Sequence, residues 1–365
     1  MHIVEFTAGS LRFVDTVPAQ APADGFVWVY LERDEYAATL PEQQALAQRL
    51  GGSALLDVHA RDLANETHPS NYDATSVYDR IVFRRLPTAD EARLAPRGAD
   101  RARVDSRAVA FAVFDRLLVS VHPPGCPTAV AFIERLATDA RLSVEATAVR
   151  SRLPQSPADL ALQLINQMVD SYLDHRKELT RAMDGVQDAL LRADARAGTW
   201  PALMRARQRL HWLQELCEEQ QDAMQEWLDT LREQPLSDYA ADATQALARR
   251  DQLVARARDV MEHIDRVLHH ARRLEQSAET VVQIHFNAQG QRTNDIMRTL
   301  TAITAVFLPL NLFTGFFGMN FDALPLIHSG IGMWVALVLL LALALAIVVL
   351  FWRRRYLSHG RDDEV

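Results

Sequence analysis

The sequence predicts an α+β N-terminal domain that leads, through helices, into a long stalk helix and two transmembrane α-helices. Three observations predict it. Two uncharged apolar runs, 301–319 and 331–352, close a chain of 365 residues. From 242 to 308 the only Gly is Gly290 and there is no Pro, while apolar residues recur at steps of three and four. Residues 1–150 mix alternating apolar runs with short amphipathic ones, the mark of a sheet with helices.

Each uncharged run can cross a hydrocarbon core of about 30 Å at about 1.5 Å per residue. Only residues 320–330 separate them, which makes the pair a helical hairpin. Arg298 lies before the first run and Arg353-Arg354-Arg355 follow the second, whereas the short loop carries one charge, Asp322. The positive-inside rule then places both chain ends in the cytosol and the loop outside, in a multi-pass protein of the cell membrane. Trp334 and Trp352 stand near the two ends of the second run, as interfacial anchors do.

The two runs differ in chemistry. The second is almost wholly Leu, Ala, Val and Ile, as suits a helix against lipid. In the first, Asn294, Met297, Thr301, Thr304, Leu308, Asn311, Gly315 and Gly318 fall on one helical face, and Val306, Phe307, Leu310, Phe313 and Phe317 fall elsewhere. Polar side chains at membrane depth face a partner or water. Composition alone leaves two readings of that stripe open, helix packing and pore lining. A two-helix subunit cannot enclose a water path, so a pore needs a symmetric oligomer. Neutral oxygens in rings suit a hard cation that keeps much of its water.

The formal charge is −8. From residue 292 onward six Arg face five acids, a net of +1, so the first 291 residues carry −9. That balance gives nucleic acid nothing to bind and reads as solubility of the large N-terminal part. Cys126 and Cys217 lie far apart, in no metal-ligand spacing, and read as reduced thiols. The N-terminus has no basic stretch followed by an apolar run, so no secretory signal is expected. A Walker loop, a His-Glu-x-x-His, a nucleophile elbow and paired Cys motifs are all missing, which gives an enzyme reading and a catalytic cofactor no residues.

Apolar residues at Leu253, Ala257, Val260, Ile264, Val267, Ala271, Leu274, Ala278 and Val281 form a coiled-coil-like stripe that runs into the first membrane segment. A continuous helix there would be on the order of 110 Å long. Ahead of it, 157–191 and 201–231 read as two amphipathic helices, with Pro157 and Pro201 in their first turns. In the N-terminal part, 3–7, 11–17, 26–31, 77–85, 109–114 and 117–121 read as strands, 41–50 and 128–136 as helices, and 93–103 as a loop. The expected organisation is an α/β domain (1–150), a helical bundle (151–240), a stalk (241–299), membrane helices at 300–319 and 331–352 around a loop at 320–330, and a tail at 353–365.

Three segments together resemble the CorA metal-ion transporters. They are Asn294-Asp-Ile-Met297-Arg-Thr-Leu300-Thr301, Phe307-Leu308-Pro309-Leu310 and Gly315-Phe-Phe-Gly318-Met319-Asn320-Phe321. The resemblance implies a funnel-shaped homopentamer whose first membrane helix lines a pore for Mg²⁺, with Co²⁺ or Ni²⁺ as further substrates. It implies an outer selectivity ring at Gly318 and Asn320 within the Gly-Met-Asn signature. Asn311 and Asn294 would form further polar rings, and Met297, Leu300 and Leu308 apolar constrictions that gate the path. Many relatives have Thr where Asn311 stands. After the signature, Leu324-Pro325-Leu326-Ile327 departs from the Met-Pro-Glu-Leu of magnesium-type members. Zinc-transporting relatives of the ZntB type also lack that acid but have a Gly-rich loop, so Zn²⁺ transport, with or without proton coupling, stays open. A third reading is a membrane-anchored scaffold or sensor whose stripe only packs helices.

The resemblance further implies a regulatory divalent ion, held between an acid at the position of Asp62 and a stalk acid of the neighbouring subunit. Counting back from Asn320 places Asp259 at the stalk position. The plain alternative is two solvated surface acids. His263 and His270, seven apart on one face, are a weaker metal candidate.

Overall fold

The computed structural model describes residues 1–7, 10–88, 91, 106–143, 153–191, 199–233, 243–319 and 330–353. The chain divides into two compact units, Met1–Glu279 and Thr280–Val365. The division falls inside one continuous helix.

The first unit is built on a seven-stranded sheet in the order β2-β1-β3-β7-β6-β5-β4. Its strands are β1 (His2–Thr7), β2 (Ser10–Val14), β3 (Gly25–Glu32), β4 (Asn71–Ala74), β5 (Tyr78–Arg85), β6 (Arg107–Phe114) and β7 (Leu117–His122). Only β3 and β7 pair in parallel; every other neighbour is antiparallel. The central strands are apolar on both faces because both are covered, so they read as continuous hydrophobic runs. Val27, Val29 and Leu31 point to one face with Val82, Ala110 and Val119, where they meet the helical segment that follows β3. That segment comprises α1 (Arg33–Ala38), α2 (Leu40–Leu46), a π turn (Ala47–Gly51) and α3 (Asp57–Ala64). Trp28, Phe83 and Phe111 alternate to the other face and are fully buried.

The second face is covered by α4 (Pro127–Ser143), α5 (Pro157–Asp170) and α7 (Thr199–Glu233). Pro157 occupies the first turn of α5, and the Ser156 side chain accepts from the Asp159 amide, a standard N-cap. The helix expected over 157–191 is two helices, because Ser171 forms a turn between α5 and α6 (Tyr172–Leu191). Its hydroxyl donates to the Met168 carbonyl at 2.6 Å, satisfying an end group of α5.

Helix α8 (Ala243–Phe317) is 75 residues long, and α9 is Gly330–Arg353. In the first unit, Ala257, Val260, Ile264, Val267, Ala271 and Ala278 of α8 are buried, as the stripe requires. Polar ties flank it: His270 meets Thr180 at 2.9 Å, Gln214 meets Glu275 at 2.8 Å, and Arg256 meets Asp159 at 2.9 Å. The second unit holds the rest of α8 and α9, the two helices long and apolar enough to cross a membrane.

Several readings shift. Strand β2 stops at Val14, three residues early, and β4, where no strand is expected, carries Asn and Asp, which are poor strand formers. The latter is an edge strand stabilised by cover: Tyr72 is buried and stacks on Trp227 of α7 at 6.4 Å between rings. Helices α1 and α3 escaped notice because each spans about two turns. The loop expected at 93–103, residues 320–329 of the loop expected at 320–330, and the tail from 354 lie outside the described residues.

Candidate ion pathway and flanking acids

Helix α8 enters the apolar stretch with its two sides in different surroundings. Ala302 is buried, and Ala305, Val306, Pro309, Leu310, Phe313 and Phe317 are half-buried. Pro309, Leu312, Phe313, Phe316 and Phe317 line an apolar groove with Leu343 of α9. Thr301, Thr304, Leu308, Asn311, Gly315 and Gly318 are all exposed in the single chain. At about 100° per residue, the centres of these two sets lie on nearly opposite sides of the helix. The polar stripe is therefore not the surface by which the two membrane helices of one chain meet.

Asn294, Met297 and Leu300 continue the exposed face toward the first unit. Met297, Leu300 and Leu308 are 55%, 56% and 65% exposed, so three large apolar side chains on the polar face stay largely uncovered among the described residues. Thr301 donates its hydroxyl hydrogen to the Met297 carbonyl at 2.7 Å, and Thr304 donates to Leu300 at 2.8 Å. Each hydroxyl spends its one hydrogen on the helix and turns lone pairs outward. Pro309 has no N–H, so the Ala305 carbonyl loses its helical partner. At the far end, the Gly318 amide donates to the Thr314 carbonyl at 2.9 Å. A Cβ at 318 would lie 3.0 Å from that same oxygen, which explains a glycine at the helix end. Met319 follows, and Asn320 lies outside the described residues.

The flanking acids belong to the first unit. Asp62, on α3, is 21% exposed and has Arg80 Nη1 at 3.6 Å from one carboxylate oxygen and His68 Nε2 at 3.6 Å from the other. Arg80 sits on β5, in register with Asp73 of β4 on one side and Ala112 of β6 on the other. Its Nη2 donates to Asn71 Oδ1 at 2.5 Å and approaches Asp73 at 3.8 Å. Asp73 also meets Nε2 of His59 at 3.0 Å, and the other nitrogen of that buried ring meets the Tyr78 hydroxyl at 2.9 Å. Asp259, on α8, is half-exposed and lines a polar groove with Arg135, Asn166, Asp170 and Arg256. His263 stands between the acids there, 3.3 Å from Asp170 and 3.9 Å from Asp259.

His270 turns away from His263 to Thr180, whose hydroxyl already donates to the Arg176 carbonyl. Burial, with Arg176 and Arg273 nearby, lowers the His270 pKa. Among the described residues, no group of three or more His, Cys, Asp or Glu is arranged to hold a metal ion. Both cysteines are buried and free. The roles of Arg80, Asp170 and Arg256 were not visible in the sequence. The available signal was an arginine at position 80 on the same strand face as Tyr78 and Val82, where an apolar residue is expected.

The sequence profile of the family described as CorA-like Mg²⁺ transporter protein matches residues 23–355. The cobalt/magnesium transport protein CorA of Thermotoga maritima is 26% identical over 100 residues, which are 27% of this chain and 28% of that protein. Such alignments span less than a third of the curated relatives' lengths. The complete structure of the CorA magnesium transporter from Methanocaldococcus jannaschii superposes with a TM-score of 0.70 at 13% identity, covering 96% of this chain and 97% of that one. The full-length CmaX protein superposes with a TM-score of 0.59 at 18% identity, over 97% and 96% of the two chains. These superpositions establish the fold: a soluble α/β domain, a long helix and two C-terminal apolar helices. With a profile matched over most of its length, this chain belongs to the CorA-like Mg²⁺ transporter family.

Proposed function

We propose that five copies of this chain assemble around an axis lined by the polar face of α8 and conduct Mg²⁺ across the cell membrane, with Co²⁺ or Ni²⁺ as further substrates. One observation carries the reading. The Thr-Asn-Gly stripe lies opposite the side of α8 that packs within the chain, so the outward lone pairs of Thr301 and Thr304 and the Asn311 amide meet no other element among the described residues at membrane depth. Bare polar groups in hydrocarbon are costly, and a shared wet axis removes the cost. Outward lone pairs on Thr301 and Thr304, and the amide oxygen of Asn311, suit a cation that keeps its inner water. Asn320 and Gly318 would form the outer ring, Asn294 an inner one, and Met297, Leu300 and Leu308 the dry constrictions.

An inward divalent ion gains about 4.6 kcal/mol per 100 mV, twice the unit-charge value, so uptake needs no nucleotide. Arg298 and the Arg353–Arg355 cluster at the two outer ends of the hairpin favour cytosolic termini. A second reading, Zn²⁺ transport, draws on the missing acid in Leu324-Pro325-Leu326-Ile327. Flux into proteoliposomes tests the proposal: Mg²⁺ uptake driven by a negative interior is expected, and Asn320→Ala should reduce it. Zn²⁺ uptake that Mg²⁺ fails to compete, and that a pH gradient alters, would favour the second reading. No flux of any divalent ion would favour the scaffold reading.

A further inference from the structure

We propose that Arg80 acts as a tethered cation at Asp62, in the role that family resemblance gives to a regulatory divalent ion. Asp62 is then the counter-ion of a buried guanidinium, and the residues around it do not fit a metal. The argument begins with Arg80. Its side chain is 5% exposed, and its Nε and Nη1 find no hydrogen-bond acceptor. Only two carboxylates lie in ion-pair range among the described residues, Asp62 at 3.6 Å and Asp73 at 3.8 Å. Asp73 is 51% exposed and is shared with His59, so water and the imidazole weaken its hold on Arg80. Asp62, better shielded, is the principal compensating charge. A buried cation left without its counter-ion is strongly destabilising.

Both oxygens of Asp62 already face nitrogen, Oδ2 toward Arg80 and Oδ1 toward His68. The position of His68 is fixed in turn, because Arg84 donates to the Glu66 and His68 carbonyls at 2.9 and 2.8 Å. A divalent ion binds carboxylate oxygen at about 2.0–2.6 Å and draws in several further oxygens. On Oδ2 it would instead stand beside the fixed Arg80 charge, and on Oδ1 it would find the one His68 ring, whose Nδ1 donates to the Pro69 carbonyl, in place of the several oxygens a hard cation draws in. The stalk acid is similarly supplied: Asp259 shares its groove with Arg135 and Arg256 and has the His263 ring nearby.

The full-length protein in detergent micelles distinguishes the two roles without any transport measurement, so failure here is separate from failure of the pore proposal. The variant is Asp62→Asn, and the readout is the thermal unfolding midpoint in EDTA and across an Mg²⁺ titration. A counter-ion role predicts a midpoint in EDTA lower by about 3 °C or more, since Arg80 loses its charge partner. It also predicts that the Mg²⁺-induced change, whatever its size in the parent, is the same in the variant. The double variant Asp62→Asn with Arg80→Met should recover at least half of the loss, because both charges are gone. If Arg80→Met prevents folding, the two readouts on Asp62→Asn decide alone. A midpoint in EDTA that is unchanged or raised by Asp62→Asn overturns the proposal, because removing a bare metal ligand relieves repulsion. Loss of the Mg²⁺-induced change in that variant overturns it as well.

Discussion

The two halves of α8 use the same three-and-four spacing to opposite ends. From Ala257 to Ala278 the repeated face is apolar, and the rest of the same chain buries it. From Thr301 to Gly318 the repeated face is polar and stays exposed, while the aromatic side turns inward. In the soluble half, packing within one chain satisfies the stripe. In the membrane half, one chain covers only the side it meets with apolar side chains, and the polar remainder is left to the other copies and water of the proposed pore. One helix can therefore be complete as a fold along part of its length and incomplete along the rest.

That contrast breaks most easily in the soluble half. Ile264→Ala should destabilise the first unit by about 3 kcal/mol, since a fully buried branched side chain leaves a cavity. Chemical denaturation of the detergent-solubilised chain checks it, and a loss below about 1 kcal/mol would mean the stripe does not hold the stalk.

A second test also belongs to the soluble half. Burial, with Arg85 and Arg33 nearby, pushes the His122 pKa down from 6.5 to about 3. His122 therefore stays neutral in the fold while the unfolded chain takes a proton below about pH 6.5. Its share of stability is complete above that pH and is lost as pH falls toward the folded value. Between pH 6.5 and 5 the loss should be about 2 kcal/mol, measured by denaturant midpoints. His122→Asn should flatten that slope.

In the membrane half the expected effects are smaller in energy and fall on flux. Asn311→Leu should cut Mg²⁺ flux by about tenfold, or roughly 1.4 kcal/mol, with no change in unfolding midpoint. A loss of stability with flux retained would reassign the stripe to helix packing. Thr304→Val should lower flux by a few-fold, and Thr304→Ser should restore it, because the Leu300 carbonyl can still take the hydroxyl hydrogen.

How much of this was legible in the sequence follows the same division. The membrane runs, the buried stalk stripe and the polar face depend on periodicity along one helix, which a sequence displays directly. Strands β3, β6 and β7 were legible because both sheet faces are covered there and the runs are apolar, whereas β1, β2 and β5 mix polar residues with strand formers and were legible from the latter. β4 was not, because Asn71 and Asp73 are poor strand formers and the cover on Tyr72 comes from Trp227, far along the chain. The break at Ser171 was hidden because a single serine, though it favours turns, is tolerated inside a helix and no Gly or Pro stands beside it. For the site, residues along α8 could be aligned from spacing alone. The surroundings of Asp62 could not, since Arg80 lies on a strand, His68 in a loop, and neither spacing suggests an ion pair with α3. Asn320 rests on the resemblance alone.

If Thr301 and Thr304 line the proposed path, their inward-pinned hydroxyls act on the sign of the ion as well as on affinity. A chloride ion drawn alongside them would meet oxygen lone pairs, with each hydroxyl proton already committed to a backbone carbonyl. Such a lining would repel anions without a single ionised side chain, and would keep that preference at any pH where the helix is intact.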